Sequence, residues 1–291
     1  MNTLNQEQLE NSYSRRQRNS IILEELVKHD WFIEDVEQAV SIFDQFINYD
    51  YADPLKSLRL SAYLGKDVEQ VHRMMTSILV AAVGTHEVPL VSLAAKVAYM
   101  FEGDKQSKIQ TAAELLAILS QLQQYKLYRN EKKQYCITGV ITLSADIQLT
   151  VDKLMYMPPL KAKPNVLEVN SDSAYHTIKE SLILGHSMNH HEANISLDVL
   201  NTLNSVPLMI DWEVFHEMEK HLEIPEDNYN SYQDRFETTL NLIAKDIFYF
   251  NHKVDTRGRI YTSGHYINDQ GDAFHKAIIG MRPCTVVPTF T

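Results

Sequence analysis

The sequence predicts a mainly α protein with a small β component: a helical N-terminal domain holding one β-hairpin, then more helices that run into a strand–turn–strand. Three observations carry this. Apolar residues recur at helical spacing through the first 125 positions. One stretch, "YKLYRNEKKQYCITGVITLS", instead alternates around a polar turn. Near the C-terminal end, "VDTRGRIY" places a glycine between two arginines in an otherwise extended pattern.

Taken in order, Ile22, Leu23, Leu26 and Val27 start a helical stripe that "VEQAVSIFDQFI" (36–47) continues. Residues 68–84 and 90–102 read as further helices, and 110–125 shows the clearest stripe, with Ala113, Leu116, Leu119 and Leu122 behind a polar face. The hairpin falls at 125–143, with its turn at 129–133. It fits the wing of a winged helix or a hairpin packed in a helical domain, and no basic recognition helix precedes it. "MYMPPLKAKPNVLE" carries three prolines, which exclude regular helix and central strand, so a boundary and linker are placed there. Residues 171–191 are expected to resume helix and to end in "GHSMNHHE". His186 and His190 have metal-ligand spacing but lack the glutamate of an HExxH motif and a third ligand, so polar contacts at a helix end are expected. "SLDVLNTLNSVPLMIDWEVFHEME" reads as two helices broken near Ser205–Pro207. After an acidic loop at 223–230, a long helix over 232–250 is expected, with Phe236, Leu240, Ile243, Ile247 and Phe250 on one stripe.

Composition narrows the function classes. With 291 residues, 44% hydrophobic and 22% charged, the chain can bury a full core. No run reaches the ~18 apolar residues of a membrane span, and the polar N-terminus lacks the apolar core of a signal peptide. Two cysteines, Cys136 and Cys284, are too few for a disulfide framework and suit a reducing cytoplasm. A net charge of −11 excludes a protein coated for nucleic acid. Residues 252–282 run against that balance, with five basic residues to three acidic ones. A small basic site on an acidic body suits local phosphate contact.

In "VDTRGRIY", Gly258 permits a tight or positive-φ turn. Arg257 and Arg259 stand two apart and share a face in extended geometry. Two guanidiniums on one face need anions. Asp255 can orient one of them through a bidentate pair, which leaves the other for a phosphate. Tyr261, on the same parity, can stack on a base or sugar. A salt-bridged surface hairpin explains the same eight residues.

"DTRGRIY", followed by "INDQGD" and Lys276, resembles the Asp/Thr-x-x-Gly-Arg region of the single-subunit RNA polymerases of phages and mitochondria. There the motif begins the palm and touches the template strand and the RNA–DNA hybrid. The tyrosine, Asn-x-Gln-Gly run and lysine of that pattern correspond to Tyr261, Asn268–Gly271 and Lys276, with one extra residue between tyrosine and asparagine. "LNTLNSVPLMIDWEVF" (200–215) resembles the family's Leu-Asn-x-Leu segment ahead of the thumb, with Leu208 and Asp211 at positions where tryptophan and asparagine are common. "MPPLKAKP" resembles the proline-rich stretch upstream of it.

The resemblance spans roughly 155–282 and implies three regions: a helical N-terminal domain (1–156), a thumb-like region (157–247) and the first palm strands (248–291). The family's two Mg²⁺-binding aspartates and its fingers helix lie beyond the arginine motif, past Thr291. The implied protein is therefore the small subunit of a heterodimeric phage RNA polymerase, inactive alone. A larger partner would hold Mg²⁺ and supply the rest of the palm and the fingers, in the cytoplasm of an infected bacterium. Asp255, Arg257, Gly258, Arg259, Tyr261 and Lys276 would contact template DNA or hybrid, this chain binding no metal itself. Strand edges at 248–266 and the apolar end "MRPCTVVPTF" are expected to be buried by that partner. A DNA-binding transcription regulator built around 110–143 and a helical scaffold with a structural arginine turn remain alternatives.

Overall fold

The computed structural model describes residues 4–83, 88–141, 143–185, 191–220, 229–243 and 247–281. His186 and His190, most of the expected acidic loop and the terminal stretch from residue 282 lie outside them. The chain is mainly α with a small β component and forms two compact units, Arg15–Val151 and Met1–Ser14 together with Asp152–Thr291.

The chain begins with α1 (Gln6–Ser12), whose N-terminus is closed by a capping box between Asn5 and Gln8. The Arg15–Val151 unit follows with α2 (Arg15–Leu26), α3 (Asp30–Asn48), α4 (Pro54–Ser61), α5 (Val68–Val83), β1 (Val88–Pro89), α6 (Leu90–Val97), α7 (Lys105–Leu119), β2 (Tyr125–Arg129), β3 (Tyr135–Gly139) and most of α8 (Ala145–Lys153). Phe32, Val36, Ala39, Phe43 and Phe46 form the buried face of α3, and Val71, Met75, Ile78 and Leu79 that of α5. Fully burying one such phenylalanine contributes roughly 1.5–3 kcal/mol. The helix expected at 110–125 starts earlier, because Asp104 accepts from the Gln106 and Ser107 N–H groups, and ends at Leu119. The expected hairpin pairs β2 with β3 antiparallel, and β1 adds a third strand that sequence reading missed. Tyr125 and Ile137 join the core, and a Cβ on Gly139 would stand 3.2 Å from the Val83 Cα, so the hairpin is packed among helices.

The other unit continues with α9 (Leu197–Asn204), β4 (Leu208–Ile210), α10 (Trp212–Glu219), α11 (Tyr229–Ile243), β5 (Asn251–Val254), β6 (Ile260–Ser263), α12 (Ala273–Ala277) and β7 (Ile279–Met281). β5 pairs with β6 and β4 with β7, both antiparallel. One core gathers Phe215, Phe236, Leu240, Phe248, Phe250 and Phe274; a smaller one joins Leu167, Leu182, Leu200 and Val254.

Two expectations are corrected. Residues 171–185 contain no helix. Side chains take their polar groups: Glu10 accepts from the His176, Thr177 and Ile178 N–H groups, and the Asp172 side chain turns back to accept from the N–H groups of Glu168 and Val169 just upstream. The long helix does not reach 250. α11 ends at Ile243, and Phe248 and Tyr249 form antiparallel bridges to Leu208 and Leu160. The chain divides between Val151 and Asp152, close to the expected boundary at 156, with Met1–Ser14 grouped with Asp152–Thr291, and β7 pairs back onto β4. The proline-rich stretch is irregular as expected, yet tied down: Leu160 and Tyr249 exchange two backbone hydrogen bonds, and the Gln6 amide oxygen accepts from the Lys161 N–H at 2.6 Å. Among the described residues no helix is long and apolar enough to cross a membrane.

Candidate nucleic-acid interface

The arginine turn closes the β5–β6 hairpin. The Asp255 N–H donates to the Arg259 carbonyl at 2.8 Å and the Gly258 N–H to the Asp255 carbonyl at 3.0 Å, leaving Thr256, Arg257 and Gly258 as a three-residue loop. Gly258 sits at φ +83°, the left-handed position that such a loop places third. A Cβ there would meet no heavy atom within 4 Å, so backbone conformation alone requires glycine.

Arg257 therefore lies in the turn and not on a strand, and the expected sharing of a strand face by the two arginines does not hold. The Asp255 carboxylate joins them instead. One oxygen accepts from the N–H groups of Arg257 at 2.8 Å and Arg259 at 3.0 Å. The other accepts from Arg259 Nε at 2.7 Å and lies 2.6 Å from its Nη2. Arg257 Nε is 3.8 Å from the same oxygen, too far for a hydrogen bond. Desolvation pushes the Asp255 carboxyl up, but the donors from Arg259 and Arg257 outweigh it and hold the pKa down at about 2. Its bond to Asp255 in turn raises the Arg259 pKa.

The two arginines thus differ. Arg259 is clamped, with its guanidinium 5.7 Å from the Tyr261 ring centre, so one face of the ring expected to stack on a base already carries a cation. The Arg257 side chain is 75% exposed and only loosely neutralised. Lys253 is paired with Glu180. Lys276 is exposed on α12, and its side chain has no ion-pair or hydrogen-bond partner among the described residues. α12 is held by His275, whose Nδ1–H donates to Asp272 at 2.7 Å while its Nε2 accepts from the Tyr232 hydroxyl at 2.6 Å. Burial, then the charge of Asp272, pushes the Tyr232 pKa up to about 12, so the hydroxyl keeps its proton. The structure joins Asp255, Arg257, Gly258, Arg259 and Tyr261 in one cluster and records no contact between them and Lys276.

The hairpin edges are not open, contrary to expectation. Residues facing outward from an antiparallel pair alternate with those bonded across it. On β5, Val254 exchanges hydrogen bonds with Leu182 and Leu184, and the His252 N–H donates to the Asn204 side chain at 2.8 Å. On β6, the Gln270 amide acts as a strand, accepting from the Thr262 N–H at 3.0 Å and donating to the Ile260 carbonyl at 3.2 Å. The "INDQGD" loop is thereby folded against the turn's own strand. Gly271 permits this, because a Cβ there would stand 2.8 Å from the His275 Cβ.

Sequence reading missed the positioning residues Gln270, Asn201 and Asn204. Asn201 exchanges two hydrogen bonds with the Leu167 backbone, at 2.8 and 2.9 Å. Asn204 also accepts from His252 Nδ1–H at 2.9 Å. "LNTLN" therefore ties the proline-rich stretch to the arginine hairpin, and its asparagines at 201 and 204 were the available signal.

Among the described residues no group of three His, Cys, Asp or Glu side chains could hold a metal ion. No protein-family model matches the chain, and no curated protein matches it.

Proposed function

We propose that the chain is a nucleic-acid-contacting subunit of a DNA-dependent RNA polymerase of the single-subunit type. A larger partner holds the Mg²⁺-binding aspartates and the fingers, and this chain presents the arginine turn to template DNA and the RNA–DNA hybrid. The carrying observation is a cation braced by its own backbone: the Asp255 carboxylate fixes the Arg257 and Arg259 N–H groups and the Arg259 guanidinium, and leaves Arg257 outermost. One carboxylate against two guanidiniums leaves a positive turn, and the fixed turn backbone presents the exposed Arg257, whose planar fork suits phosphate oxygens. Proximity supports the reading: Asn201 and Asn204 of "LNTLN" bond to Leu167, just past "MPPLKAKP", and to His252, just ahead of "DTRGRIY", and Leu160 within "MPPLKAKP" bridges to Tyr249. The partner's metal supplies the nucleotidyl-transfer chemistry; this chain's residues hold and orient phosphates.

Reconstitution tests this. Mixed with a larger chain carrying palm aspartates, the protein should support Mg²⁺-dependent nucleotide incorporation on a primed template that neither chain supports alone. Incorporation by this chain alone would contradict the division of labour. A structural turn is the second reading, favoured by the saturation of Asp255 with internal donors. It expects Arg257 to be dispensable for nucleic-acid binding.

A further inference from the structure

A second basic site lies wholly within the Arg15–Val151 unit. In α2, Arg15, Arg18 and Asn19 follow helical spacing and line one shallow cleft, open to solvent. Lys96, in the last turn of α6, and Tyr99 just beyond it line the same cleft. Arg15 Nη1 donates to the Lys96 backbone carbonyl at 3.2 Å, which holds the two elements together. Among the described residues Arg15, Arg18 and Lys96 have no carboxylate within ion-pair distance, and the half-buried Arg18 has a water-excluded Nε with no hydrogen-bond partner. Several other half-buried cations are matched by carboxylates: Lys56 and Arg59 share Glu114, Arg235 meets Asp152, and Lys253 meets Glu180, although Lys161 is not. Three converging cations on a chain of net charge −11 therefore lack the counter-charge supplied elsewhere. Burial and the neighbouring arginines push the Lys96 pKa down, as burial and Arg15 do for Arg18, so an anion in the cleft would relieve both.

We propose that this cleft binds the phosphoryl group of a nucleotide unit, with Arg15, Arg18 and Lys96 on the phosphate and Tyr99 stacked on the base. Paired guanidiniums match phosphate oxygens, and the Tyr99 side chain, 72% exposed beside them, offers a free aromatic face. The phosphate can belong to a free nucleotide or to a single strand. The proposal is independent of the arginine turn.

The test uses the full chain with Arg257→Ala, which removes the turn's contribution, and titrates inorganic phosphate, AMP and a fluorescein-labelled single-stranded dA12 at low salt. Lys96→Met combined with Arg18→Gln should weaken phosphate-containing probes by about tenfold or more, while Lys96→Arg retains binding. Tyr99→Ala should weaken AMP or dA12 by roughly fivefold or more and leave inorganic phosphate unchanged, with Tyr99→Phe close to wild type. Much tighter binding of dA12 than of AMP assigns the site to a strand; equal binding assigns it to a free nucleotide. Circular dichroism confirms that each variant is folded. Absence of binding by every probe, or affinities unchanged in the folded double variant, would overturn the site. AMP and dA12 binding indifferent to Tyr99→Ala would overturn the nucleotide assignment.

Discussion

At Asp255 a single carboxylate accepts from both flanking arginines, so its ionisation governs the turn. A depressed carboxylate pKa means that its contribution to stability is complete above the ordinary aspartate value and is lost as pH falls through the folded value, here about 2. The turn should therefore be insensitive to pH from neutrality down to about 4. A carboxyl-carbon NMR titration should place the Asp255 midpoint near 2; a midpoint close to that of free aspartate would contradict the clamp. Two glycines permit a contrasting prediction. Gly258→Ala meets open space but an unfavourable φ and should cost about 1–2 kcal/mol, with Gly258→Asn costing less. Gly271→Ala meets the His275 Cβ and should cost roughly 1–3 kcal/mol by crowding, with Asn no better. Chemical denaturation separates the two patterns. At this scale the sequence made the turn legible, because glycine between arginines after an aspartate has few structural uses. It did not distinguish the clamped Arg259 from the exposed Arg257, since that depends on which side chain reaches the carboxylate. Gln270 was invisible as an edge-capping residue, because its partners lie eight and ten positions away.

Among the elements, periodicity located α3, α5 and α7 and both hairpins, since each is decided by local pattern and buries one face in the nearest core. It failed where distant groups decide. Residues 171–185 carry a composition compatible with helix, but Glu10, more than 160 positions away, takes three of their N–H groups. "IFYF" after α11 fits a helical stripe and a strand equally well, and the bridges to Leu208 and Leu160 select the extended form. The Glu10 contact has its own consequence. Burial pushes its carboxyl up, yet hydrogen bonds from His176, Gln6 and Thr177 outweigh this and leave its pKa below the ordinary glutamate value. Its stabilisation is thus present above that value and lost as pH falls through the lower, folded one. Glu10→Ala should cost about 3 kcal/mol at pH 7 by leaving buried donors unpaired, and the difference from wild type should shrink below about pH 4. Thermal unfolding from pH 7 to 3 measures this; a difference constant across that range would refute it.

For the whole molecule, the division into Arg15–Val151 and the remainder predicts that the fragment 15–151, with a core from Ile22 to Val151, folds by itself. Cooperative unfolding of this fragment by circular dichroism is the expected result, and a non-cooperative melt would contradict it. Removing residues 1–14 should instead destabilise the other unit, which they enter through Gln6 and Glu10. Composition anticipated a protein too acidic to coat nucleic acid, and both basic sites are accordingly small. We propose that the arginine turn holds a nucleic-acid phosphate in an assembled polymerase. The most direct measurement is the affinity of the assembled enzyme for a primed RNA–DNA hybrid across a range of salt concentrations, with and without Arg257→Ala. Loss of one phosphate contact should lower the slope of log affinity against log salt by about one unit, roughly equally for unrelated sequences. Arg259→Ala should do the same while also loosening the Asp255 clamp. An unchanged slope in a folded Arg257→Ala enzyme that transcribes normally would leave the turn a structural feature and contradict the account.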